Sequence, residues 1–114
     1  MVTVYGIRNC DTCRKAWRWL DEQGITYRFV DLRRDGLEAA RVADWAARVG
    51  TDALVNRRGQ TWRRLSDADR ARDEAGLRAL LCEQPALVKR PVIECADGTV
   101  RVGWNETVRG ALGG

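Results

Sequence analysis

A chain of 114 residues is long enough for one compact domain around one hydrophobic core. Its 45% apolar content is ordinary for a globular protein, and no apolar run approaches the roughly 18 residues of a membrane-spanning helix. The net charge of +4 rests on 18 arginines and 2 lysines interleaved with Asp and Glu, the pattern of solvated helix faces. No zinc-finger, basic-zipper or aromatic–basic motif accompanies that charge, so direct nucleic-acid binding is not expected.

Histidine is absent, which leaves Cys, Arg, carboxylates or Tyr for any chemistry. The N-terminus passes almost directly into Val2-Thr3-Val4-Tyr5, with no basic segment and apolar stretch of a secretory signal. The expected location is cytoplasmic. There stable disulfides are uncommon, and a CxxC motif is catalytic or metal-binding.

Val2 and Val4 alternate with Thr3 and Tyr5, which predicts a first strand. Cys13, Ala16, Trp17 and Leu20 then fall at i, i+3, i+4 and i+7, the apolar stripe of a helix that Gly24 stops. Ile25–Val30 reads as a second strand. Strand, helix and strand within about 30 residues form a βαβ unit with parallel strands. Asp35-Gly36 is expected to open another helix, with Val42, Trp45, Ala46 and Val49 inward and Gly50 closing it.

Asn56-Arg57-Arg58-Gly59 reads as a turn, with Trp62 and Leu65 as core anchors. Asp73–Glu83 is predicted helical, with Leu77, Leu80 and Leu81 buried, and Pro85 ends it. Pro91–Cys95 is predicted as a strand, Asp97-Gly98 as a hairpin turn, and Thr99–Val102 as the return strand. Asn105 or Trp104 opens a last helix carrying Val108 and Leu112, after which Gly113-Gly114 reads as a frayed tail. The order βαβ, helical stretch, ββα gives the parts of an α/β thioredoxin-like fold with a mixed sheet. It predicts a single domain over residues 1–114 with a helical insertion at about 35–85.

Cys10-Asp11-Thr12-Cys13 sits where the first strand turns into the first helix. A helix N-terminus presents unpaired N–H groups and the positive end of the macrodipole, so it favours a thiolate. Cys10 is therefore the expected nucleophile, with Arg14 and Lys15 within one turn to lower its pKa further. Cys13 is placed one turn inside the helix, where it can resolve a mixed disulfide on Cys10.

The plainer alternative is two small buried side chains without reactivity. Zinc is a third reading. Without His it would need Cys82 and Cys95 as well, and both lie in apolar segments that suit a core better than a metal. Arg90-Pro91 precedes the third strand, a position that in a thioredoxin-like domain faces the active-site cysteines and has a cis proline. Arg90 would there add an anion-binding guanidinium near Cys10. The alternative is a surface arginine before a strand-starting proline.

Several segments together resemble the arsenate reductase/Spx family of thioredoxin-like proteins, closest to its YffB-type branch. They are Tyr5-Gly6-Ile7-Arg8-Asn9-Cys10-Asp11-Thr12, the stretch Asn56–Leu65, and Lys89-Arg90-Pro91. The resemblance implies a thiol–disulfide oxidoreductase with Cys10 as nucleophile and Arg58 and Arg90 as oxyanion-binding arginines. It implies no bound cofactor, and glutathione as co-substrate or a glutaredoxin or thioredoxin as reductant. Substrates would be a small oxyanion or a disulfide.

The position matching the third arginine of glutaredoxin-coupled arsenate reductases is Gly103, with Arg101 two residues out of register. The Asn-Pro-x-Cys-Gly stretch is also absent from around Cys10. Both departures count against arsenate itself. Cys10, Cys13, Arg14, Lys15 and Ala16, with Val102-Gly103-Trp104-Asn105-Glu106, resemble Spx-type regulators instead. That similarity implies a redox switch binding RNA polymerase.

Overall fold

The computed structural model describes residues 1–113. In chain order it has β1 (Val2–Gly6), α1 (Asp11–Glu22), β2 (Tyr27–Asp31), α2 (Leu32–Asp35) and α3 (Ala39–Val49). Then come α4 (Thr51–Leu54), α5 (Gln60–Arg63), α6 (Asp67–Arg70) and α7 (Glu74–Glu83). A 3-10 turn (Pro85–Leu87) leads to β3 (Val92–Glu94), β4 (Val100–Val102) and α8 (Glu106–Gly113). The four strands form one mixed sheet in the order β2-β1-β3-β4. The β1–β2 pair is parallel and the β1–β3 and β3–β4 pairs are antiparallel. This is the α/β thioredoxin-like architecture expected from the order of elements.

The chain forms two compact units. The first is Met1–Leu32 with the chain from Arg90 onward, and the second is Arg33–Lys89. The sheet belongs to the first. Val4, Leu20, Ile93 and Val108 form a buried cluster there, so β1, β3, α1 and α8 share one core. Burying a side chain such as Ile93 stabilises by about 1.5–3 kcal/mol.

Local chemistry sets the ends of these elements. Gly24 takes φ 69°, and its N–H donates to Asp21 O at 3.1 Å, which ends α1. At the β3–β4 hairpin Gly98 takes φ 89°, and the Thr99 N–H donates to Asp97 Oδ1 at 2.9 Å. Asn105 rather than Trp104 opens α8, its Oδ1 accepting from the Val108 N–H at 2.9 Å.

The second unit is a set of short helices around Trp45, Leu54, Leu80, Leu81 and Leu87, all fully buried. Two of its helices have side-chain caps. Ser66 Oγ accepts from Asp69 N–H, and Asp73 Oδ1 from Gly76 N–H at 2.8 Å.

Three sequence expectations are corrected. Asp35-Gly36 does not open a helix: Asp35 ends α2, Gly36 takes φ 76°, and α3 starts at Ala39. Leu112 is carried on α8 as expected, but Gly113 is also part of α8 and not a frayed tail, lying against the Trp19 ring. Gly114 lies outside the described residues. Cys82 is half-buried and not enclosed in a core, whereas Cys95, also half-buried, packs against the core cluster of the first unit as expected. Among the described residues no helix is long and apolar enough to cross a membrane.

Candidate functional site

Cys10 is the N-cap residue of α1. Its backbone is extended (φ −127°, ψ 118°), and its carbonyl accepts the first helical hydrogen bond from the Arg14 N–H at 3.0 Å. The sulfur thus stands at the helix N-terminus, half-buried. Partial burial pushes the Cys10 thiol up. The Cys13 backbone N–H, the Cys13 thiol and the Arg90 guanidinium together outweigh that, so the thiol is held below its ordinary value of 9.0.

Cys13 is the reverse case. It has no exposed surface. Its thiol is pushed up to about 12, chiefly by burial and further by the hydrogen bond to Cys10 and the charge of Cys10. The Ile7 backbone N–H and Arg90 act the other way without overcoming it. Cys10 is therefore the more acidic thiol of the pair, and Cys13 is the one that holds its proton and donates to it.

Two further features of β1 and β3 complete the surroundings. The Arg90–Pro91 peptide bond is cis. Pro91 O accepts from the Gly103 N–H at 2.8 Å, which ties the start of β3 to the turn after β4. Gly6, the last residue of β1, lies so close to Cys13 that an ideal Cβ there would sit 2.5 Å from Cys13 Sγ.

The structure therefore brings Cys10, Cys13 and Arg90 together, with Pro91 following Arg90 across the cis bond. Arg14 is different from its expectation. Its guanidinium is directed to Asn9 Oδ1 at 3.1 Å and Asp11 Oδ1 at 3.4 Å, and the cation that holds the Cys10 thiol down is Arg90. The i, i+3 spacing from Asp11 is what diverts it.

Arg58 lies in the second unit. Its N–H donates to Asn56 Oδ1 at 3.2 Å, which makes the 56–59 turn. It lines a cavity of about 300 Å³ with Val55, Asn56, Arg57 and Lys89. Arg57 and Arg58 are indistinguishable in sequence but not in structure. Arg57 pairs with Asp52 at 2.9 Å and stacks over Trp62 at 5.2 Å from the ring centroid. Trp62 is accordingly half-buried and carries a cation, and is not the enclosed core anchor expected of it.

Sequence reasoning missed Gly6 and the Ile7 N–H. The only available signal was a glycine ending a strand four residues before Cys10. All four cysteines are free thiols. Among the described residues no three His, Cys, Asp or Glu side chains converge to hold a metal ion.

The model of the ArsC family matches residues 5–111. The solved structure of the YffB protein superposes with a TM-score of 0.93 at 36% identity, covering 100% of each chain. An arsenate reductase-related protein from Brucella melitensis gives a TM-score of 0.78 at 42% identity, covering 96% of this chain and 92% of that one. The global transcriptional regulator Spx of Listeria innocua is 30% identical over 108 residues, 93% of this chain and 82% of that protein.

Proposed function

Because the chain belongs to the ArsC family, we propose that it is a thiol-dependent disulfide reductase with Cys10 as nucleophile. The observation that carries this reading is the opposite shift of two neighbouring thiols: Cys10 held down beside Arg90, Cys13 pushed up in a dry seat. A nucleophile and a protonated partner are what a two-step exchange requires.

In the first step the Cys10 thiolate attacks one sulfur of a disulfide RS–SR′. A Cys10–SR bond forms, the S–S bond breaks, and R′S⁻ leaves and takes a proton. Cys13 then loses its proton and attacks Cys10 Sγ. The Cys10–Cys13 disulfide forms and RS⁻ leaves, to be protonated in turn. Two electrons pass from the pair to the substrate. Two equivalents of a small thiol such as glutathione, or one dithiol protein of glutaredoxin or thioredoxin type, return them.

Arg90 would hold an anionic group of the substrate beside Cys10 as well as the thiolate. Arg58 is assigned to anion binding by family resemblance and is tested separately by its own Ala variant. Arsenate is disfavoured as substrate. Gly103 stands where the third arginine would be, and it takes φ 84°, a left-handed conformation in which an arginine would be strained.

Cys10→Ser tests the reading in a glutathione-coupled disulfide-exchange assay. Loss of turnover by at least about a thousandfold is expected, because a hydroxyl at this position lacks an anionic form near neutral pH. Undiminished turnover would refute it.

A second reading is favoured by the similarity to Spx. The Cys10–Cys13 pair would then be a redox switch on a protein that binds RNA polymerase. Pull-downs from reduced and oxidised lysate separate the two. Polymerase recovered in one redox state supports the switch, and its absence in both removes it.

A further inference from the structure

Glycine is common where backbone φ is positive, and Gly24, Gly36, Gly50, Gly98 and Gly103 all have that explanation. Gly6 does not. Its backbone takes a conformation open to any residue, yet an added Cβ would lie 2.5 Å from Cys13 Sγ. Real Cβ atoms do not come that close to sulfur. The other near atoms, Cys13 Cβ and Phe29 Cε1, are at 3.4 Å, which is ordinary van der Waals contact. What forbids a side chain at position 6 is therefore the Cys13 sulfur alone.

We propose that Gly6 is a positioning residue: the space left by its missing side chain seats the reduced Cys13 thiol, and so sets the equilibrium between the Cys10–Cys13 dithiol and its disulfide. This rests on the reading of Cys10 and Cys13 as a redox pair. In the reduced protein the Cys13 sulfur has no exposed surface, lies against Gly6, and accepts from the Ile7 N–H. A disulfide brings the two sulfurs to about 2.05 Å. The Cys13 sulfur must then be drawn from hydrogen-bonding separation towards Cys10, away from its reduced position. A Cβ at position 6 strains the dithiol more than the disulfide. The dithiol gives up two electrons to a disulfide substrate, so a less stable dithiol is a stronger reductant.

The experiment compares wild type, Gly6→Ala, Cys13→Ala and the double variant Gly6→Ala/Cys13→Ala. Melting points are taken for all four reduced proteins and for the two oxidised ones. The dithiol–disulfide equilibrium is read in glutathione buffers of graded poise.

Gly6→Ala should lower the melting point of the reduced protein more than that of the oxidised one. It should shift the equilibrium by about tenfold or more towards the disulfide, which corresponds to about 30 mV. In the Cys13→Ala background it should leave the melting point unchanged, because the sulfur it collides with is gone. If Gly6→Ala alone fails to fold, a folded double variant of unchanged melting point supports the proposal equally.

Equal losses in both backgrounds, failure of both variants to fold, or an unmoved equilibrium would overturn it. So would a wild-type protein that forms no Cys10–Cys13 disulfide at any poise. That last result leaves a single-thiol mechanism of Cys10 standing, since Cys10→Ser turnover is measured independently.

Discussion

The surroundings of Cys10 at the start of α1 and the helical segment Arg33–Lys89 both contain arginine, and they use it in opposite ways. At α1 a guanidinium, that of Arg90, acts on a half-buried sulfur and helps to set its ionisation. In the helical segment arginines are taken up by nearby carboxylates. Arg48 pairs with Asp44, Arg57 with Asp52, Arg70 with Asp67, Arg78 with Glu74, and Arg72 with both Asp69 and Glu83. Most of these are exposed pairs, of the kind that contributes little. The count of arginines therefore says nothing about chemistry. A cation matters where it meets a group already partly shielded from water.

If that contrast is right, the helical segment is held by its apolar core and not by its charges. Trp45 is its largest fully buried side chain. Trp45→Ala should cost about 3–5 kcal/mol in urea denaturation, the range for a large aromatic removed from a packed core. A loss below about 1 kcal/mol would mean that the ion pairs carry the segment after all.

The site region gives a pH effect with a definite sign. Cys13 titrates at about 12 when folded against 9.0 ordinarily. Above pH 9 an unfolded chain ionises this thiol while the folded protein keeps the proton. The unfolded state then binds fewer protons, so stability falls as pH rises from 9 towards 12. The slope approaches about 1.4 kcal/mol per pH unit. Cys10 runs the other way, its stabilisation being complete above 9.0 and lost as pH falls through its lowered folded value. Comparing wild type with Cys13→Ala removes the Cys13 part together with the hydrogen bond Cys13 gives Cys10, while the raised thiols of Cys82 and Cys95 are present in both. Parallel stability curves above pH 9 would show that Cys13 is not in a dry seat.

Arg90→Gln sharpens the same contrast. It keeps polarity and part of the side-chain length and removes the charge. Alkylation of Cys10 at pH 7 should slow on the order of tenfold, about what one hydrogen bond to a charged group is worth. The pH midpoint of alkylation should rise. No change in the profile would transfer the lowering of the Cys10 thiol to the Cys13 N–H and the helix terminus.

How much of this was visible in the sequence depended on periodicity. β1, α1, β2, α7 and the Asp97-Gly98 hairpin were legible because their apolar spacing or turn residues are local signals. The helices α4, α5 and α6 have four residues each. A single turn carries no period, so residues 51–70 could be read only as a turn with anchors. Cys10 and Cys13 were legible as a pair at a strand-to-helix junction. Which cation serves them was not. Arg14 is adjacent in sequence but is diverted by Asn9 and Asp11, and Arg90 arrives through the pairing of β1 with β3. Gly6 was invisible for the same reason. A close approach between a strand end and a helix side chain is a tertiary fact.

The smallest effect tests the other half of the contrast. Arg48 lies one turn after Asp44 on α3, its Nε 3.3 Å from the carboxylate, with both side chains about half exposed. That order, acid before base at i, i+4, is the favourable one for the helix dipole. Solvent screens the pair, and holding two long side chains together costs entropy. Arg48→Ala should therefore change stability by about 0.5 kcal/mol or less, and should weaken further in high salt. A loss above about 2 kcal/mol, insensitive to salt, would mean that the Arg48 pair is shielded from water, as Nε of the half-buried Arg90 is. The two regions would then differ in what their arginines face, and not in how deeply they are placed.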